Sequence, residues 1–349
     1  MTVPFGDGNP SAKIILVGEA WGEQDDYHKQ PFAGASGQEL NRMLQEAGIL
    51  RSETYATNLI NARPPDSDLT AWMPMKKKDI SGRHVLLRDR FVLPIVLEGY
   101  ESLLREINLV KPNVIIALGN AAMWALTGQW GVLKWRGSQL TTDFLPTRKV
   151  IPTIHPAVIL REYSLRRAVI NDLKRAGNER STEAYSNIPK YDFIIRPSLE
   201  RVLSTLSNLT PVVGDSPRWI EFDLETSPIH ITCAGISWSR TEAICIPITY
   251  PEGGKDYWSA EEEAIVVFAL YKFLTNPLVW VRGQNLLYDA QHTYRHWHFV
   301  PNVKQDTMLS HHSMLAGLPK SLAFQASLYC DYYSFWKEMH RDLSNKIGA

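Results

Sequence analysis

Glu19, Asn58 and His155 are a carboxylate, an amide and an imidazole. Each sits where the sequence predicts a loop following a strand: Gly18 to Asp26, Thr57 to Pro65 and His155 to Leu160. In a parallel α/β sheet the carboxyl ends of the strands share one edge, so these loops are predicted to converge on one cleft. Taken singly, Glu19 reads as a solvated loop acid, Asn58 as a turn former and His155 as a satisfied buried histidine. A second set lies far downstream. Asp223 and Glu225 stand two apart in Phe222-Asp223-Leu224-Glu225-Thr226, so on a strand both point to one face. Such pairs commonly keep a sheet edge soluble, but the apolar flanks here predict an internal strand.

The elements that must position these groups alternate in the first half. Lys13 to Gly18 reads as a buried strand, Gly37 to Ala47 as an amphipathic helix stopped by Gly48, and Asn113 to Leu118 as a strand turning at Gly119-Asn120 into the helix Ala121 to Leu126. Val150 to Ile154 is a further strand running into His155-Pro156. Buried strands alternating with helices predict a parallel sheet covered by helices. From Ala176 to Pro189 the apolar periodicity is lost, which predicts a domain boundary. Beyond it, Trp219 to Leu224, Ile231 to Trp238 and Ala243 to Ile248 are strands in series, as at the start of a mixed sheet. The helix Glu261 to Leu274, the run Val279 to Val281 and the helix Leu287 to Trp297 follow. The expected domains are therefore 1–178 and 190–349, joined by a linker at 179–189.

Composition fits this reading. With 349 residues, 44% of them hydrophobic, two domains are a better expectation than one. The 37 Lys+Arg balance 37 Asp+Glu, which excludes a uniformly basic coat; residues 1 to 180 hold 23 against 19, leaving 14 against 18, too small a difference to name a partner. Cys233, Cys245 and Cys330 are far apart and odd in number, which argues for a reducing, cytosolic setting without a disulfide framework or a zinc site. Neither a basic leader followed by an apolar run nor a membrane-length apolar segment is present.

Read together and in order, five segments change the weight of the isolated residues. Gly18-Glu19-Ala20-Trp21-Gly22, Gln30-Pro31-Phe32-Ala33-Gly34-Ala35-Ser36-Gly37, Thr57-Asn58-Leu59-Ile60-Asn61-Ala62-Arg63-Pro64-Pro65, Lys111 to Gly119 and Pro152-Thr153-Ile154-His155-Pro156-Ala157 resemble the uracil-DNA glycosylase superfamily, most of all its family 4 branch. The resemblance spans roughly residues 10 to 175. It implies a three-layer α/β/α domain with a parallel sheet, DNA as partner, and roles for four residues. Phe32 would stack on the flipped pyrimidine, and Asn58 would read the uracil edge. His155 would meet the 2-oxygen, and Glu19 would orient the attacking water.

Three departures qualify the resemblance. Family 4 members hold an iron–sulfur cluster on four cysteines, whereas Asn61-Ala62-Arg63-Pro64-Pro65 stands at one of those positions and the first 232 residues contain no cysteine. No cofactor is therefore expected in this domain, and packing must replace the cluster. The insertion from Asp66 to Glu98, with its basic run Lys76-Lys77-Lys78, is the candidate; the run itself reads as solvated surface. Trp21 stands where the family usually has proline, beside Gly22, where other branches use a tyrosine to exclude the thymine methyl; both are candidate substrate-binding residues. The segment 63–70 (RPPDSDLT) lacks the histidine on which one branch traps the sugar, so hydrolysis is expected.

Phe222 to Thr226, together with Asn285-Leu286-Leu287-Tyr288-Asp289, resembles the first two motifs of the 3′ to 5′ exonuclease (DnaQ-like, RNase H-like) domain of family A DNA polymerases. Gln305-Asp306-Thr307-Met308-Leu309 and Pro319 to Ala323 are similar to phage-type members. This resemblance implies a mixed-sheet domain in which Asp223, Glu225 and Asp289 hold Mg²⁺ or Mn²⁺ for phosphodiester cleavage. The fourth acid of its Tyr-x-x-x-Asp motif is missing: Asp331 follows Ser327 and Asp342 follows Glu338. The nuclease half is thus expected to be incomplete, in a chain that a polymerase would continue. His292, His296, His298, His311 and His312 have no acid or cysteine at ligand spacing and read as packed or solvated helix residues. The leading expectation is uracil, or a 5-substituted uracil, removed from DNA by hydrolysis. The competing ones are an exonuclease whose front domain merely binds DNA, and a non-catalytic sensor of template uracil.

Overall fold

The computed structural model describes residues 6–144, 146–227, 230–250 and 255–335. The chain divides into two compact units, one formed by Met1–Ile188 with the segment from Ala323 onward, the other by Pro189–Leu322.

The first unit is built on four parallel strands: β2 (Ile14–Ala20), β3 (Thr54–Ile60), β6 (Val114–Leu118) and β8 (Lys149–Thr153). Antiparallel edge strands β1 (Asp7–Gly8) and β7 (Leu140–Thr141) complete the sheet in the order β1-β3-β2-β6-β8-β7. Residues 54–60, 114–118 and 149–153 are buried throughout, as strands covered on both faces must be. Covering helices are α1 (Glu23–His28), α2 (Ala35–Glu46), α3 (Pro94–Val110), α4 (Asn120–Thr127), α5 (Val132–Trp135), α6 (Pro156–Ile159) and α7 (Arg166–Asn178). Their limits follow local chemistry: Pro94 opens α3 and the left-handed Gly128 closes α4. The insertion predicted at 66–98 carries a hairpin, β4 (Val85–Leu87) with β5 (Arg90–Val92), and adds Trp72, Met73, Val92 and Val96 to the core. Lys76, Lys77 and Lys78 remain exposed.

The second unit has strands β9 (Asp192–Ile195), β10 (Arg218–Thr226), β11 (Ile231–Ser237), β12 (Glu242–Pro247), β13 (Val279–Gly283) and β14 (Val303–Asp306). Its helices are α8 (Leu199–Leu209), α9 (Ala260–Leu274), α10 (Leu286–Trp297) and α11 (Thr307–Met314). The sheet order is β14-β13-β10-β11-β12-β9; β10 to β12 pair antiparallel, while β13 and β14 run parallel to β10. That is the strand order and direction of the expected RNase H-like sheet, with β9 added at the edge. Phe222, Leu224, Ala234 and Ile236 belong to its buried core.

Two expected boundaries move. The second unit ends at Leu322 rather than running to 349, because α12 (Leu322–Tyr329) and the described residues after it, to Phe335, pack on the first unit. Tyr333 and Phe335 enter the first unit's core, Phe335 meets Trp135 edge to face, and the buried Arg136 donates to Ser327 Oγ (2.5 Å) while pairing with Asp172. Ser327 and Asp331 therefore lie on this returning segment; Glu338 and Asp342 lie outside the described residues. The presumed linker is also packed on the first unit at its start. Glu179 accepts from Lys149 Nζ (3.0 Å), and the Tyr185 hydroxyl donates to Leu140 O (2.7 Å). Glu179 is buried and Tyr185 half-buried, while most of the segment's other residues face solvent. Among the described residues no helix is long and apolar enough to cross a membrane.

Candidate active site

The carboxyl ends of β2, β3 and β8 meet at a cleft of ≈ 460 Å³, and Glu19, Trp21, Gly22, Phe32, Asn58 and His155 all line it. Two positions differ from expectation, and the first is Glu19, which belongs to β2 rather than to the loop after it. Asn58 belongs to β3 itself, not to the loop after it, and lies beside Gly18 in the parallel register. That register requires glycine: a Cβ at residue 18 would stand 2.1 Å from Asn58 Oδ1 and 2.8 Å from Phe32 Cζ. Gly18 thus lets an amide and a ring meet at the strand end.

Asn58 is 2% exposed, and among the described residues its Nδ2 has no hydrogen-bond partner. The backbone behind it is fixed. Its N–H donates to Asn61 Oδ1 (3.2 Å), Asn61 Nδ2 donates to Thr57 Oγ1 (3.1 Å), and Thr57 Oγ1 donates to the buried Glu106 (3.1 Å), which also accepts from the Tyr55 hydroxyl (2.9 Å). Burial pushes the Glu106 carboxyl above its ordinary range. Phe32 has a left-handed backbone (φ 59°), a conformation that costs about 1 to 3 kcal/mol and clusters at functional sites. Its ring is buried and lies 6.3 Å from that of His155, inclined by 28°.

His155 begins α6, and its Nδ1 accepts from the Ala157 N–H (3.2 Å). In the neutral ring the proton is consequently on Nε2. Burial holds the pKa of His155 below its ordinary value; Arg161 acts in the same direction, and the charges of Glu19 and Asp25 oppose it. Glu19 Oε1 accepts from the Ala121 N–H (2.9 Å) at the start of α4, and the left-handed Gly119 leaves that carboxylate room, since a Cβ there would stand 2.6 Å from Glu19 Cδ. Trp21 is buried, and its backbone N–H donates to Ala62 O (3.0 Å). At Gly22 a Cβ would meet only Asp25 Oδ2, at 3.8 Å. Sequence reasoning missed Asp25, Asn61 and Glu106, which brace the cleft. Asp25 had a legible signal, an acid three residues after the N-cap position Gly22.

The second unit places its predicted ligands differently. Asp223 and Glu225 are exposed on one face of β10, and the strand is internal, flanked by β11 and β13. Asp289, on α10, is 2% exposed and its Oδ1 accepts from the Leu224 N–H (2.8 Å). The reason is the register: β13 pairs with β10 only through Glu221, so Leu224 lacks a strand partner on that side. Burial, then the charges of Asp223 and Asp306, pushes the Asp289 carboxyl up to about 6. Asp306 caps α11 through Met308 N–H (2.8 Å) and also accepts from Leu286 N–H (2.9 Å), joining two of the motifs. Among the described residues no group of three or more His, Cys, Asp or Glu side chains could hold a metal ion. Of the expected set of Asp223, Glu225 and Asp289, the first two share the exposed face of β10, and Asp289 directs Oδ1 to the Leu224 N–H. The rings of His292 and His296 stack on each other (5.8 Å) along α10.

The class this geometry defines is a parallel α/β unit with a cleft at the carboxyl edge of its sheet, carried with a sheet of RNase H-like strand order. The model of the uracil DNA glycosylase superfamily matches residues 5–174. The type-4 uracil-DNA glycosylase of Thermotoga maritima is 34% identical over 178 residues, covering 50% of this chain and 81% of that protein. The chain belongs to the uracil-DNA glycosylase superfamily. The DNA polymerase of Bacillus phage SP01 is 26% identical over 170 residues, 48% of this chain but 16% of that polymerase. Among solved structures, Escherichia coli RNase D aligns with 43% of this chain and 36% of its own at 14% identity and a TM-score of 0.30.

Proposed function

We propose that the chain removes uracil from DNA by hydrolysing the N-glycosidic bond, with Glu19 and His155 as catalytic residues and Phe32, Asn58, Trp21 and Gly22 as the base-binding wall. The observation that carries this reading is the Asn58 amide, buried with an unbonded Nδ2 in a cleft lined by a ring, an acid and an imidazole. An unpaired buried polar group costs about 1 to 3 kcal/mol. A uracil edge relieves that cost: Nδ2 donates to the 4-oxygen and Oδ1 accepts from N3–H. Cytosine presents the reverse pattern and leaves both groups unpaired.

The nucleotide leaves the stack to reach this cleft, and the Phe32 face receives the base, a contact worth about 1 to 3 kcal/mol. As the C1′–N1 bond breaks, its electrons go to the base and negative charge gathers on the 2-oxygen. His155, neutral with its proton on Nε2, donates there. Glu19 holds the water whose oxygen bonds C1′, and its charge favours the cationic sugar. Arg161, exposed at the rim, is placed to meet a phosphate. Gly22 carries no side chain to exclude a 5-substituent, so a 5-substituted uracil belongs to the same proposal. The glycosylase chemistry needs no cofactor, and the three free cysteines suit a cytosolic setting.

The alternative assigns the chemistry to the second unit, as the Mg²⁺- or Mn²⁺-dependent exonuclease part of a DNA polymerase whose front unit only senses uracil. The likeness to a phage polymerase favours a polymerase context, and Asp223 and Glu225 on the exposed face of β10 are the groups this alternative would use. A uracil-release assay on wild type, Asn58→Ala and His155→Ala separates the readings. Free uracil from wild type, strongly reduced in both variants, is the expected result. Mg²⁺-dependent shortening of single strands without base release, lost in Asp223→Ala, would sink the glycosylase reading.

A further inference from the structure

The segment from Glu19 to Ala33 carries a buried acid that no step of the proposed hydrolysis uses. Asp25 is 8% exposed, and its two oxygens point to different parts of the chain. Oδ2 accepts from the Gly22 N–H (3.1 Å) and Oδ1 from the Ala33 N–H (2.7 Å). Its own carbonyl accepts from Gln30 N–H (3.1 Å), closing the chain between them. Gly22 ends the stretch that holds Glu19 and Trp21, and Ala33 follows the left-handed Phe32. A cap on α1 needs only the first of these bonds. The second reaches eight residues along the chain, to the backbone that orients the stacking ring. Asp25 also lines the cleft, and its charge acts on His155, which Glu19 and Arg161 face as well.

We infer that Asp25 is a positioning residue of the proposed excision: its carboxylate fixes the segment bearing Glu19, Trp21 and Gly22 against the one bearing Phe32, and keeps a negative charge beside His155. The inference rests on the glycosylase reading above. An amide in place of the carboxylate keeps one acceptor, turns an NH₂ toward the other N–H, and removes the charge.

The test is steady-state excision by the full chain on a uracil-containing duplex, with thermal unfolding measured alongside. For Asp25→Asn we expect kcat to fall about 10- to 100-fold with KM changed less than about 3-fold. The acid limb of kcat/KM should move to lower pH, because His155 loses a neighbouring negative charge that raises its pKa. A purely structural residue would leave that limb in place. Asp25→Glu keeps the charge and displaces the carboxylate by one methylene, so its limb should stay while kcat falls; it also decides the matter if Asp25→Asn does not fold. Wild-type kcat in Asp25→Glu, or an unmoved limb and unchanged kcat in a folded Asp25→Asn, overturns the inference while leaving the glycosylase reading intact. A wild-type chain that releases no uracil overturns that reading, and the inference with it.

Discussion

The two sheets carry their polar groups in opposite states. At the edge of the first, Glu19, Asn58 and His155 are each braced through a backbone contact, yet the Asn58 Nδ2 is left without a partner. At the second, Asp223 and Glu225 face solvent while the buried acid, Asp289, already has a partner in the Leu224 amide. A site prepared for a ligand keeps a buried group unsatisfied until the ligand arrives; a structural polar group is satisfied within the fold. By that criterion the Asn58 amide marks the first edge as a candidate ligand site, while in the second the buried Asp289 meets a backbone amide.

The largest break in this comparison should come from His155→Ala. Loss of one preorganised donor to a developing oxyanion lowers kcat about 10²- to 10³-fold, measured as single-turnover release of uracil. Asn58→Ala should lower kcat/KM on the order of 10- to 100-fold and narrow the preference for uracil over cytosine. Comparable excision of both bases by wild type would show that the amide does not read the edge.

Gly18→Ala sharpens the same point from the backbone. Its methyl would overlap both Asn58 Oδ1 and Phe32 Cζ, so one of them must leave the cleft. Overpacking of this kind costs about 1 to 3 kcal/mol. Uracil release should fall with a drop in melting temperature, whereas the same change at Gly22, where a Cβ has room, should leave melting unaltered.

In the second unit the expected effect is on stability and depends on pH. Asp289 titrates at about 6 in the fold, against about 3.9 for an unperturbed aspartate. A raised folded pKa means the native state binds the proton more tightly. Its stabilising contribution is full below about pH 4 and is lost as pH rises through about 6. Asp289→Asn keeps the acceptor for Leu224 and removes the charge. It should stabilise the chain at pH 7.5 by on the order of 1 to 2 kcal/mol, allowing for screening at the open sheet face, with the gain shrinking toward pH 4. A variant less stable than wild type at pH 7.5 would contradict the burial argument.

Much of this was legible in the sequence, for identifiable reasons. Strands buried on both faces, such as residues 114–118, announce themselves as unbroken apolar runs, and the side-by-side placement of Gly18 and Asn58 follows once parallel strands are assumed. The bonds that make the cleft specific were less visible. Glu106 lies 49 residues from Thr57, and nothing local marks it as their shared acceptor. The return of Tyr333 and Phe335 to the first unit was hidden for the same reason, since burial against a distant partner leaves no period in the sequence. The bond from Leu224 to Asp289 was equally hidden, because the motif around Asp289 does not report where the ladder between β10 and β13 stops.

The smallest expected effect is the most discriminating. Asp223 lies on the exposed face of β10, in the unit that does not contain the cleft. Asp223→Asn should therefore leave uracil release within about 2-fold of wild type, a difference under 0.5 kcal/mol or so. If the two units act as one catalyst, with the acidic strand supplying a group to excision, the same substitution should cost at least about 10-fold. Adding EDTA gives an independent measure: excision that needs no metal is unchanged by chelation, whereas any trimming of single strands that relies on a cation bound at Asp223 and Glu225 stops. Activity that survives both perturbations locates the excision chemistry in the first unit and separates it from any cation-dependent chemistry of the acidic strand.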